Sequence, residues 1–152
     1  IFGCDIIANN RIVTAAIVDI SPVKGVRAEF YKDIKPISER YMDFDFRKLP
    51  EWADIFSPHC KFMRLHKQTE QIMYVQLLEE YLQVYVNAVS KAEKCMDIDA
   101  TYDRYQDQVY YCQQQKRNKK TEAVLGSWFD PTWAKHYIDN VLFDKPKPFV
   151  IL

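Results

Sequence analysis

Residues 71–92 constrain this chain more than any other stretch, because apolar side chains recur there at helical spacing over a long uninterrupted run. Val75, Leu78, Leu82, Tyr85 and Val89 fall three and four apart, which defines one stripe of a helix. Leu77, Tyr81, Val84 and Ala88 widen that stripe, leaving a narrow polar strip of Gln76, Glu79, Glu80, Gln83 and Asn87. A helix so broadly apolar has to be covered on more than one side, so the fold must supply it with an extended apolar surface.

Two earlier runs can build that surface. Residues 1–7 and Ile12–Ile20 are rich in strand formers and are joined by Ala8-Asn9-Asn10-Arg11. Asparagine tolerates positive φ, so Asn9-Asn10 predicts a hairpin turn. Ser21-Pro22 ends the second strand, and residues 26–45 are mixed and charged, which predicts a helix with irregular ends. Pro50 and Pro58 bracket a loop, after which residues 60–65 read as a short strand returning to the sheet. Residues 101–115 predict a second helix, polar on one side and carrying Tyr102, Tyr105, Val109 and Cys112 on the other. Residues 116–120 read as a basic connection. Asp130-Pro131 opens a last helix, with Asp as the cap and Pro at the first helical position, running to about Leu142 before Pro146 and Pro148. Strands first and helices after favour an antiparallel sheet covered by helices over alternating βαβ units.

Composition excludes several function classes. The 152 residues make one domain's worth of chain, with 48% apolar and 14% aromatic residues to fill a core. Gly3, Gly25 and Gly126 are the only glycines, too few for a glycine-rich nucleotide cradle. A net charge of zero gives no bulk attraction to nucleic acid or anionic lipid. Cys4, Cys60, Cys95 and Cys112 form no close pair, which argues against a zinc site or a disulfide scaffold and favours a reducing compartment. No apolar run approaches the roughly 18 residues of a membrane span. His59, His66 and His136 lack metal-ligand spacing, and no Ser-His-Asp order or Cys-His pair is legible.

Asp5 stands out chemically, as a carboxylate inside an apolar strand. Alternation puts Gly3, Asp5 and Ile7 on one sheet face and Phe2, Cys4 and Ile6 on the other. A carboxyl covered there would lose hydration and hold its proton near neutrality, and Gly3 one pleat away leaves room for a flat ligand. The plainer reading of the residue alone is a carboxylate bonded to neighbouring backbone at a sheet end. Lys116, Arg117, Lys119 and Lys120 form the one dense basic cluster, readable as solvated loop charges or as a patch that steers an acidic partner.

Three segments in order carry a resemblance. They are Ile1-Phe-Gly-Cys-Asp-Ile-Ile7, Leu49-Pro-Glu-Trp-Ala-Asp-Ile-Phe-Ser-Pro58 and Tyr110-Tyr-Cys-Gln-Gln-Gln-Lys-Arg-Asn-Lys-Lys-Thr-Glu-Ala-Val-Leu125. Together they resemble the ferredoxin-dependent bilin reductases, nearest to those that reduce 15,16-dihydrobiliverdin to phycoerythrobilin. The resemblance implies an α/β/α sandwich with a central antiparallel sheet flanked by helices. It also implies that residues 1–152 are one bilin-reductase-like domain, the C-terminal two-thirds of the family's, with further strands of the sheet preceding Ile1. It implies no flavin, nicotinamide or metal, with electrons from ferredoxin, a bilin as substrate, and a plastid stroma or cyanobacterial cytoplasm as the setting.

The resemblance makes Asp5 a catalytic proton donor over the tetrapyrrole, and makes Ser57 and Arg64 bilin-binding residues toward a propionate, whose carboxylate suits an arginine fork beside a hydroxyl. A surface arginine at a strand end is the plainer reading of Arg64. The family's second acidic donor is expected just before Lys120-Thr121, where this chain has Lys119. Lys119 is therefore a third bilin-binding candidate, since lysine can neutralise a propionate but donates a proton poorly unless its pKa is depressed. Asp103 and Asp107 on the preceding helix are candidates to replace it, or else lie on a solvated face. Cys112 invites a thioether-linked bilin, although packing is commoner for a free thiol. Three function classes therefore stay open, the first two being a ferredoxin-dependent reductase and a catalytically degenerate relative serving as a structural or bilin-binding subunit of a photosynthetic (photosystem or antenna) assembly. An unrelated helical binding module is a third.

Overall fold

The computed structural model describes residues 1–10, 12–22 and 27–148, residues 27–30 through their backbone alone. Arg11 of the expected turn and Val26 at the expected start of the first helix lie outside the described residues. The chain divides into two compact units, Ile1–Lys94 and Cys95–Leu152.

The first unit is built on an antiparallel sheet of four strands: β1 (Phe2–Asn9), β2 (Ile12–Ile20), β3 (Asp45–Phe46) and β4 (Lys61–Leu65), in the order β1-β2-β4-β3. The predicted hairpin forms, with Phe2 opposite Ile20 and Asn9 opposite Ile12. Asn10 takes φ of 48°, the left-handed conformation that asparagine tolerates in such a turn. Helix α1 (Arg27–Arg40) ends five residues before the expected stretch does, and it runs through Pro36. The loop between Pro50 and Pro58 carries a single 3₁₀ turn, Ala53–Ile55, that buries Ala53 and Ile55.

Helix α2 (Gln68–Lys91) packs on the sheet, but not by the stripe the spacing suggested. Tyr74, Leu77 and Tyr81 are its buried residues, set against Ala16, Val18, Ile20, Met63 and Leu65. Leu78, Val84 and Tyr85 are partly buried, whereas Val75, Leu82 and Val89 are exposed. Tyrosine decides the rotation. The Tyr74 and Tyr81 hydroxyls each reach a backbone carbonyl, of Ile17 and of His59, at 2.7 Å, so both rings enter the core with their polar ends satisfied.

The second unit is helical: α3 (Ile98–Gln115), α4 (Lys119–Trp128), α5 (Pro131–Tyr137) and a π-helical turn, Ile138–Leu142. Side chains cap all three helices. Asp97 accepts from the Ala100 amide at 3.0 Å, Asn118 from Thr121 at 3.3 Å and Asp130 from Trp133 at 2.9 Å. The Asp130-Pro131 start is therefore as predicted. Residues 119 and 120 correct the sequence reading: they are the first turn of α4, not part of a connection, because Asn118 nucleates a helix directly after the basic run. The molecule is thus α/β, an antiparallel sheet with α2 packed on it, α1 packed on α2 and sharing the same core through Ile34, and further helices later in the chain.

Candidate functional site

The register of the sheet decides which candidate residues can meet. Ile17 lies opposite Asp5 on one side and opposite Phe62 on the other, so the three share a face. Arg64, two residues beyond Phe62, shares it too, and Asp45 lies opposite Arg64. The α2-facing side holds Phe2, Ala16, Val18, Met63 and Leu65 instead. Strand spacing of about 4.8 Å puts Asp5 and Arg64 roughly 12 Å apart on a common apolar floor.

Asp5 is exposed, which corrects the expectation that it is covered. Among the described residues β1 lies at the sheet's edge, and beyond Phe2 even its α2-facing residues Cys4 and Ile6 are exposed. Arg64 is exposed as well, with its Nη1 3.7 Å from the Asp45 carboxylate, which also receives the His66 ring at 2.9 Å. The His66 contact is the main cause holding the Asp45 carboxyl below the ordinary range, with Arg64 adding to it. The Arg64 side chain is about half exposed.

Ser57 is buried and already engaged. Its hydroxyl donates to Asp19 Oδ1 at 2.5 Å, its amide donates to Asp19 Oδ2 at 3.0 Å, and its oxygen accepts from the His59 amide at 3.0 Å. Ser21 adds a hydroxyl to Asp19 Oδ2 at 2.8 Å. Desolvation pushes the Asp19 carboxyl above its ordinary value, against the pull of these donors. Sequence reasoning missed Asp19. The available signal was an acidic residue at an alternation position near the end of the apolar run Ile12–Ile20, on the face opposite Val18 and Ile20.

Lys119 belongs to the second unit and opens α4, where its ammonium pairs with Glu122 at 2.8 Å while staying largely in solvent. Its neighbours are partly engaged too: Lys116 donates to the Asp139 carbonyl at 3.0 Å and Arg117 to the Gln114 side chain at 2.7 Å. Cys112 sits half-buried with its thiol 3.5 Å from the Asp144 carbonyl, and burial pushes its pKa up, away from ready nucleophilic use. Asp103 and Asp107 lie half-buried on α3. No group of three potential metal ligands occurs among the described residues, and no described helix is long and apolar enough to cross a membrane.

Comparison with known proteins adds the context this geometry lacks. The profile of the family described as "Ferredoxin-dependent bilin reductase" matches residues 1–144. Among the similar proteins, the phycocyanobilin:ferredoxin oxidoreductase of Gloeobacter violaceus is 39% identical over 149 residues, covering 97% of this chain and 58% of the relative. The enzyme of that name from Prochlorococcus marinus (strain MIT 9313) is 40% identical, covering 97% and 56%. A third, from a Synechococcus, is 40% identical, covering 96% and 60%. The chain thus spans well under two-thirds of the length of these curated relatives.

Proposed function

Because this chain belongs to the ferredoxin-dependent bilin reductases, we propose that it forms part of one bilin-reductase domain that reduces a bilin with electrons from reduced ferredoxin. The observation that carries this reading is the family match across residues 1–144. The cyanobacterial relatives support a setting in a cyanobacterial cytoplasm or a plastid stroma. For the bond reduced, the reading from the sequence is 15,16-dihydrobiliverdin to phycoerythrobilin. The relatives named for phycocyanobilin make that product the alternative to test.

Each turnover takes two electrons, delivered singly, and two protons placed on particular carbons. Asp5 is the proposed donor of one proton, and Arg64 the proposed partner of a propionate. Their common face suits this division, since a flat apolar ligand lying over Ile17 and Phe62 would reach a carboxyl at one edge and a guanidinium toward the other. Such a ligand would also strip water from Asp5, and loss of hydration favours the neutral, proton-donating form of a carboxyl. Ser57 would contribute through its loop more than its hydroxyl, whose proton Asp19 already holds. The basic cluster of residues 116–120 is the proposed contact for the acidic ferredoxin.

Lys119 favours a second reading, a bilin-holding relative with little turnover, because its paired and solvated ammonium is a poor proton donor. Anaerobic assay with reduced ferredoxin and either 15,16-dihydrobiliverdin or biliverdin separates the two, with the product identified by chromatography. We expect turnover of 15,16-dihydrobiliverdin to phycoerythrobilin, lowered roughly a hundredfold by Asp5→Asn. Bilin binding with no turnover, restored by Lys119→Asp, would establish the degenerate reading instead. Phycocyanobilin formed from biliverdin would move the chain to the other specificity.

A further inference from the structure

Lys61 is 6% exposed, yet it has no carboxylate partner among the described residues. Its Nζ lies 3.3 Å from the Met42 sulfur, a weak acceptor, and 5.0 Å from the centre of the Phe46 ring. A buried ammonium is ordinarily paired or hydrogen-bonded throughout, because it has given up its water. Among the described residues the one hydrogen-bond acceptor of Lys61 is the Met42 thioether. The burial drives the Lys61 pKa down, the direction expected of a cation that lacks an anion.

Met42 and Phe46 are also walls of an open cleft of about 420 Å³ into whose lining Lys61 projects. Leu49 and Phe62 extend the apolar wall, and Arg47 and Lys48 bring two more cations to the lining. Arg47 is already committed, donating to the Thr14 carbonyl at 3.2 Å and stacking over Phe62 at 4.8 Å, so its charge is held in place. The cleft sits at the β3–β4 side of the sheet, the opposite edge from Asp5 on β1. It rests on observations apart from the bilin reading and meets the proposed bilin floor at Phe62.

We propose that this cleft is a binding site for a singly charged carboxylate on an apolar body, with Lys61 as the buried counter-charge and Met42, Phe46 and Leu49 as the apolar wall. One unpaired ammonium matches one carboxylate. A dianion such as phosphate would leave its second charge to Lys48, which is exposed, and Arg47, which is already committed, beside an apolar wall that cannot replace its hydration. The bound carboxylate would complete the hydrogen bonding that Lys61 lacks, as a charge-assisted contact.

Titration of the 152-residue protein with octanoate, followed by calorimetry and by the aromatic proton resonances of Phe46 and Phe62, tests this. Octanoate should bind at one site and shift both rings, whereas inorganic phosphate should not bind there. Lys61→Met should weaken octanoate at least tenfold and leave the weak binding of octan-1-ol unchanged. Lys61→Arg should retain octanoate within a few-fold. The melting temperature of the unliganded Lys61→Met protein should stay level or rise, since a thioether replaces an unpaired charge. No octanoate binding at millimolar concentration, equal binding by wild type and Lys61→Met, or phosphate binding at the same rings would each overturn the assignment.

Discussion

Asp19 ties two separate segments of the first unit together. Its carboxylate accepts from the Ser21 hydroxyl, the Ser57 hydroxyl and the Ser57 amide, and so ties the 50–60 loop to the inner strand β2. Truncation would leave those donors buried without acceptors, at about 1–3 kcal/mol each before relaxation. Asp19→Ala is therefore expected to cost about 3 kcal/mol in urea unfolding, with Asp19→Asn costing less. The pH dependence follows from burial. Asp19 titrates higher when folded than its ordinary value of 3.8, so the folded state binds the extra proton between the two values. That contribution is fully present below 3.8 and is lost as pH rises through the folded value. Asp45, Glu70 and Asp139, all held below the ordinary range by hydrogen bonds, act oppositely and favour the fold above their unfolded values. Comparing wild type with Asp19→Asn across that window isolates the first effect: the substitution should remove a fall in stability with rising pH. A wild-type profile that the substitution leaves unchanged would contradict it.

At the scale of elements, α2 illustrates how a nearly all-round apolar helix chooses its face. Spacing alone permits several stripes, and the two buried tyrosines select among them by reaching the Ile17 and His59 carbonyls. Leu77, between them and 0% exposed, is then central to the core. Leu77→Ala is expected to destabilise the protein by about 3 kcal/mol, a transfer loss plus a cavity. Val89→Ala, at a position 56% exposed, should stay within about 0.5 kcal/mol. Thermal melts of the two variants compare the faces directly. A larger loss for Val89→Ala would mean that the helix packs on the stripe the spacing first suggested. The N-terminus of α2 is secured locally, since the Glu70 carboxylate accepts from the His66 and Lys67 amides at 2.6 and 3.1 Å.

For the whole molecule, the division at Lys94 and Cys95 has a direct consequence. Residues 92–97 carry no regular structure and are exposed, and Lys91 and Lys94 flank and enter that segment. Exposed segments without secondary structure are where proteases cut first. Within the described residues, brief trypsin treatment is expected to cleave after Lys91 or Lys94 before it cleaves inside α2 or α3, as read by intact-mass analysis. Early cuts within the sheet, for example after Lys61, would show that the first unit opens more easily than its buried core suggests.

The sequence by itself determined what local rules can carry. The hairpin followed from alternation and from an asparagine able to take positive φ, and the start of α5 from an Asp cap before proline. The family was legible because three short segments of this chain, taken in order, sufficed for the resemblance, and the family profile matches residues 1–144. Tertiary structure alone decided which face of α2 is buried, since a broad apolar helix has no unique stripe until hydroxyls find carbonyls. It alone revealed, among the described residues, that Asp5 is exposed on the outer strand of the sheet, that Ser57 is held by Asp19, and that Lys61 lies buried without a counter-ion. Burial and pairing depend on residues distant in the chain that meet only across the sheet. No window along the sequence contains that information.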